Sequence, residues 1–287
     1  MTDVAEIAAR LKLRRAGRDY VGACPSCGYG GAFTVTIRGD QTLFRCHACQ
    51  DQTRVVQALV ERGLWRRSGT PRRSNGDGHV VATRSHAGTL RAVRDLISDS
   101  RPATGTVVER YLRSRGLKAP IPPTIRYLPD AWHAESGRSW PCMLALVTRW
   151  PERQPCAVHR TFLTPRGAKL AVLPAKKTLG STRGGAVRLA AAGSVLGIGE
   201  GLETALSIQE SCDIPVWAAL SAGNLKVVRL PDLPLASTII VGADNDPAGR
   251  RAAEDAALAW SVLGRNVRIA VPPVAGEDFN DVIRTCE

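Results

Sequence analysis

The sequence predicts a multi-domain α+β protein. It has a small cysteine-bearing β-ribbon at the N-terminus, a basic subdomain of mixed α/β structure, and a C-terminal α/β domain with a mainly parallel sheet. Three observations predict it. Two short cysteine knuckles bracket a hairpin-like segment early in the chain. Basic residues accumulate through the middle. Past residue 194, short apolar runs of strand character alternate with helical ones. A length of 287 residues is enough for two or three compact units. The expected boundaries are 1–65 for the ribbon, 66–103 for a basic linker, 104–193 for the basic subdomain and 194–287 for the α/β domain.

Composition excludes several classes. Apolar residues at 44% and charged residues at 23% are ordinary for a folded chain. No run of about 18 apolar residues is present, so a membrane span is not expected. The first fifteen residues lack an apolar signal core, which points to the cytoplasm. The net charge of +13 is unevenly spread: +7 over residues 1–100, +12 over 101–193 and −6 over 194–287. A basic body favours a polyanionic partner, most often nucleic acid, although an Arg-rich surface also serves solubility.

The ribbon is justified by Cys24-Pro25-Ser26-Cys27 and, eighteen residues on, Cys46-His47-Ala48-Cys49. Two such knuckles place four thiolates tetrahedrally around one structural Zn²⁺. Residues 32–37 and 41–45 have strand composition, and Arg38-Gly39-Asp40 supplies the turn. Paired disulfides and a redox dithiol are the competing readings, and a reducing compartment disfavours the first. Cys142, Cys156, Cys212 and Cys286 read as small apolar residues. Residues 3–13 and 53–62 suit short helices flanking the ribbon.

Residues 66–89 turn to Arg, Ser, Gly, Asn and Thr and read as a tether. Thr106 and Glu109 have capping-box spacing for a helix ending at Gly116. Residues 143–148, 157–163 and 169–173 read as strands. The stretch 175–185, AKKTLGSTRGG, is small, basic and Gly-containing. It is expected to be a flexible loop that grips phosphate, or simply an exposed basic loop. Arg160, Lys169, Lys176, Lys177 and Arg183 are the candidate nucleic-acid and nucleotide contacts.

In the C-terminal part, strands are expected at 195–198, 215–220, 237–243 and 266–271, with helices at 202–209, 247–263 and from 281. Strand–helix alternation implies a parallel sheet, whose functional residues lie past the C-terminal strand ends. Three acidic sites fall there: Glu200 between two glycines, Asp244-Asn245-Asp246, and Glu277-Asp278-Phe279-Asn280-Asp281. Clustered carboxylates repel unless a cation neutralises them, and Mg²⁺ takes oxygen ligands while keeping waters for phosphate. Asp246 precedes Pro247, which gives it a rival role as a helix N-cap behind metal binding. Glu203 is a second ligand, a base or a solvated helix residue. No Walker A string occurs.

GIGEGLETALS, then ADNDPAGRRAAEDAA, then EDFND resemble a Toprim domain. That is the metal-binding catalytic fold of bacterial DnaG-type primases, topoisomerases and some nucleases. The cysteine ribbon is similar to the zinc-binding domain of the same primases, especially phage and plasmid forms, which implies a mobile-element setting. The resemblance implies a DNA primase that makes short RNA primers on single-stranded DNA from NTPs by two-metal nucleotidyl transfer with Mg²⁺ or Mn²⁺. Glu200, Asp244 and Asp246 match the Toprim glutamate and Asp-x-Asp pair, as metal-linked catalytic residues. Asp278 matches a further acidic position. Lys176 and Lys177 fall near the basic residues that hold template and nucleotide. The chain ends soon after these motifs, which implies a replicative helicase as a separate partner. A metal-dependent Toprim nuclease and a non-catalytic DNA-binding replication accessory are the alternatives. A topoisomerase is disfavoured because Tyr20, Tyr29, Tyr111 and Tyr127 all precede the Toprim part.

Overall fold

A computed structural model describes residues 4–17, 19–38, 41–46, 52–65, 86–172 and 174–285. These form two compact units, divided between Ser85 and His86.

The first unit begins with helix α1 (Val4–Arg10), followed by strands β1 (Arg14–Ala16), β2 (Asp19–Gly22), β3 (Phe33–Arg38) and β4 (Gln41–Cys46), and closes with helix α2 (Gln52–Glu61). The strands pair antiparallel in sequential order, so the expected hairpin is the second half of a four-stranded sheet. β1 and β2 escaped the sequence reading because they are short and carry almost no apolar alternation. Ile7, Phe33, Val35, Val55, Leu59 and Leu64 fill the core between sheet and helices.

The second unit opens with helix α3 (His86–Ser98), inside the segment expected to be a linker. Its Val93 is fully buried, and Leu96 packs against the cluster that includes Phe162 and Leu144. The tether composition therefore stops short of this helix. Then come β5 (Arg101–Pro102), α4 (Val107–Ser114), β6 (Ile125–His133), β7 (Arg138–Arg149), β8 (Ala157–Phe162), β9 (Lys176–Gly180) and β10 (Gly185–Arg188). Thr106 caps α4 by accepting from the Val108 N–H, and Glu109 reaches back to the Gly105 N–H. The loop expected at 175–185 is mostly strand: β9 pairs antiparallel with β8, and β10 with β7. Of the strand expected at 169–173, residues 169–172 supply one isolated bridge, Leu163 to Lys169, and residue 173 lies outside the described residues.

The last part alternates as the sequence predicts: β11 (Val195–Gly199), α5 (Leu202–Cys212), β12 (Val216–Ala218), α6 (Ala222–Leu225), β13 (Thr238–Gly242), α7 (Pro247–Ser261), β14 (Asn266–Ala270) and α8 (Phe279–Thr285). β14, β13, β11 and β12 lie side by side and parallel. β12 then pairs antiparallel with β10. That junction joins the basic subdomain and the α/β part into one ten-stranded sheet. One apolar cluster spans both, from Val108 and Tyr111 of α4 to Ala205 and Ile208 of α5. A second lies on the other side around Trp217, Ile239 and Trp260.

Candidate active site

The cysteine site comes first in the chain. Cys24 and Cys46 are buried and Cys27 is half-buried, with none of the three in a disulfide. Their sulfurs lie within 4.8 Å of one another, and Cys27 Sγ stands 3.7 Å from Cys46 Sγ. Thiolates about 2.3 Å from a tetrahedral zinc are about 3.8 Å apart, so the spacing fits a shared ion. The knuckle turn is closed by Gly28 N–H to Cys24 O and Cys24 N–H to Tyr29 O. Arg62, just past α2, donates to Pro25 O and ties the helix to this turn. Cys49 lies outside the described residues.

The three acidic segments meet at the C-terminal edge of the parallel strands. Glu200 directly follows β11 and is buried. Asp244 follows β13, Asp246 caps α7, and Asp278 precedes α8. Gly249 permits this packing: a Cβ there would sit 2.6 Å from Asp244 O. Asp246 Oδ1 accepts from the Ala248 and Gly249 N–H groups, so the capping role is realised. Asp278 Oδ1 accepts from the Asn280 and Asp281 N–H groups, while Asp281 returns a bond to the Asp278 N–H. That is a reciprocal cap on α8.

Asp244 is the distinctive group. Burial, then the charges of Asp278 and Asp246, push its carboxyl up from 3.8 to about 6; a hydrogen bond from Thr204 opposes this. Its Oδ1 is buried and has no hydrogen-bond partner. A buried carboxylate oxygen without a donor, facing other carboxylates, fits a divalent cation. The carboxylates are looser than the thiolates. Among the described residues, only the three cysteines form a tight set of metal-ligating atoms.

Glu203 is bonded by the basic subdomain. Its carboxylate accepts from Tyr111 OH at 2.7 Å and from Lys176 Nζ at 3.0 Å. Although burial opposes ionisation, Lys176 and Tyr111 pull its carboxyl down to about 2. Burial and the neighbouring Glu203 charge push the Tyr111 phenol well above its ordinary range, so it is held protonated and is no nucleophile. Lys169 and His159 stand in the same field. Burial and then Lys176 lower both, His159 to about 4.

The predicted basic set divides across the sheet. Side chains alternate along a strand. Register places Lys176 with Thr161 and Met143 on the face of α4 and α5, and Lys169 joins them opposite Leu163. Lys177, with Arg160 and Leu144, takes the opposite face, towards α3. Lys177 pairs with Glu135 at 2.7 Å. Arg160 lies 5.8 Å over the Phe162 ring, and Arg183 is exposed in the β9–β10 turn.

Residues 195–287 match the Toprim domain family. This segment is a Toprim domain. Residues 87–189 match a domain of unknown function, DUF7146. No curated protein matches the chain. Among solved structures, the chain is similar to a DNA primase domain from Pseudomonas aeruginosa, at 16% identity and TM-score 0.47 over 69% of this chain and 74% of that one. It is also similar to the zinc-binding and RNA polymerase domains of the Aquifex aeolicus primase, at 15% identity and TM-score 0.45 over 99% and 80%. A third is the primase fragment of the bacteriophage T7 primase-helicase protein, at 16% identity and TM-score 0.42 over 93% and 95%.

Two features of the Toprim domain lay beyond the sequence reading. Asn245, between the two aspartates, is buried and staples loops together. Its N–H donates to Glu277 O, its amide to Pro272 O, and its O accepts from Gly276 N–H. That fixes the segment carrying Asp278 beside Asp244. An Asn flanked by two Asp offers no local sign of facing inward. The other feature is Tyr111, which reaches the Toprim domain from α4.

Proposed function

We propose that the chain is a DNA primase, a DNA-directed RNA polymerase that synthesises short RNA primers on a single-stranded DNA template from NTPs. The observation that supports this best is that the segment Glu200–Glu203 links the acidic edge to Lys176. Asp244, with its unpartnered oxygen, stands past β13, and Glu203, three residues past Glu200 on α5, accepts from Lys176 of β9.

Glu200, Asp244 and Asp246 would hold Mg²⁺ or Mn²⁺, with Asp278 adding negative potential. When bound, such ions neutralise charge on the attacking and leaving oxygens of nucleotidyl transfer. Lys176 and Lys169 bind the triphosphate of the incoming nucleotide. Glu203, itself bonded by the Tyr111 hydroxyl, holds the Lys176 ammonium in place, so its ordering precedes substrate binding. The 3′-hydroxyl of one ribonucleotide attacks the α-phosphate of the next, and pyrophosphate leaves. Arg160, Lys177 and Arg183 offer further phosphate contacts along the basic subdomain. A structural Zn²⁺ held by Cys24, Cys27, Cys46 and Cys49 would stiffen the ribbon for template contact. A replicative helicase is the expected separate partner. Among the described residues, no helix is long and apolar enough to cross a membrane.

The test is a priming assay with the full chain, single-stranded templates covering all trinucleotides, NTPs and Mg²⁺ or Mn²⁺. Short oligoribonucleotides are expected. Template cleavage without added NTPs, and no RNA product, would replace the primase reading with a nuclease.

A further inference from the structure

Of the six tryptophans in the chain, Trp132 alone is exposed, at 60%. Trp217 and Trp260 are buried, and Trp65, Trp140 and Trp150 are half-buried. A solvent-facing indole contributes little to the fold, because its apolar area remains in water. Trp132 lies near the end of β6, opposite Ser139 of β7. The small serine leaves the ring uncovered.

Register decides which way this ring faces. Ser139 and Met143 lie on the same side of β7, four residues apart, and Met143 aligns through Thr161 with Lys176. Trp132 and Lys176 therefore share one face of the sheet. Strand spacing and rise put them about 20 Å apart. Arg101 stands on that face as well, 5.0 Å over the Tyr127 ring. At the turn end of the hairpin, Arg138 covers Trp140 at 5.8 Å on the reverse side. The acids nearby are Asp130 and Glu135, and Glu135 is neutralised by Lys177.

The chemistry of this surface selects its occupant. Among the described residues, the exposed large aliphatic side chains of the second unit, such as Leu258 and Val262, all lie in the Toprim domain. Trp132 thus belongs to no apolar patch of the kind a protein partner needs. An open aromatic face on a segment of net charge +12, with Arg101 and Lys176 farther along the same face, is what an unpaired base and its phosphates require. We propose that Trp132 is a stacking platform for an unpaired base of single-stranded nucleic acid, a few nucleotides away from the Lys176 end of the same face. This rests on the chain binding nucleic acid, and does not require that it polymerise.

The experiment uses the full chain and a fluorescein-labelled oligothymidylate of about twenty nucleotides, followed by anisotropy. Trp132→Ala should weaken binding about tenfold, the scale of one lost base stack. Trp132→Phe should recover most of it. The slope of log K against log salt should stay unchanged, since no phosphate contact is removed. Affinity for a blunt duplex should not move. Equal binding by wild type and Trp132→Ala overturns the proposal, as does an equal loss on single strand and duplex. A wild type that binds the oligonucleotide but makes no primers refutes only the primase reading. A wild type that does not bind it refutes both.

Discussion

Asp244→Asn should stabilise the metal-free protein while abolishing its activity. In the fold, burial and the Asp278 and Asp246 charges raise the Asp244 carboxyl from 3.8 to about 6. A raised folded value means that the group's contribution is fully present below about pH 4 and is lost as pH rises through 6. By pH 7 the ionised group therefore destabilises the native state. Two pKa units correspond to about 3 kcal/mol. Asp244 keeps some solvent contact, so about 1–2 kcal/mol is the expected net penalty. The amide removes the charge, and its oxygen can still accept from Thr204. For a unit of this size the gain should appear as a rise in Tm of roughly 3–6 °C at pH 7 in EDTA. The difference should vanish at pH 4. Added Mg²⁺ should then stabilise the wild type and leave the variant unmoved. A variant less stable than wild type at pH 7, or a gain that is independent of pH, would refute the reasoning.

Two further outcomes follow from the geometry. Lys176→Ala should lower primer synthesis at least tenfold and Lys177→Ala only slightly, because the strand turns these neighbours to opposite faces. Steady-state primer yield on one template reads this, and equal losses would contradict the assigned register. The chain should carry about one zinc per molecule by atomic emission, and Cys24→Ser or Cys46→Ser should release it. Limited proteolysis should then cut within residues 4–65 and spare 86–285, since the two are separate compact units. A metal-free chain with all its cysteines reduced would exclude the zinc.

Local pattern carried much of this protein. The strand–helix alternation after residue 194 depends on apolar runs and turn residues within ten or fifteen positions, and β11, α5, β13, α7 and β14 appear where it predicts. Thr106 and Glu109 cap α4 because a capping box is read over four residues. The cysteine knuckles and the acidic strand ends are likewise short-range signals. Residues 175–185 misled the reading because lysine, glycine and serine have weak strand preference. Pairing with β8 overrides that preference and makes 176–180 a strand.

What only the tertiary structure decided is which distant residues share a face. Tyr111 and Glu203 are 92 positions apart, and Asn280 reaches Arg115 across 165. Neither contact leaves a trace in local sequence. The β10–β12 pairing fuses two expected domains into one sheet, and the β7–β8–β9 register sets the direction of every side chain on β8 and β9. In an alternating strand a shift of one residue exchanges the faces. Sequence therefore supplied a pair of lysines and a set of carboxylates, and the sheet register determined that Lys176, not Lys177, stands with Glu203 beneath α4.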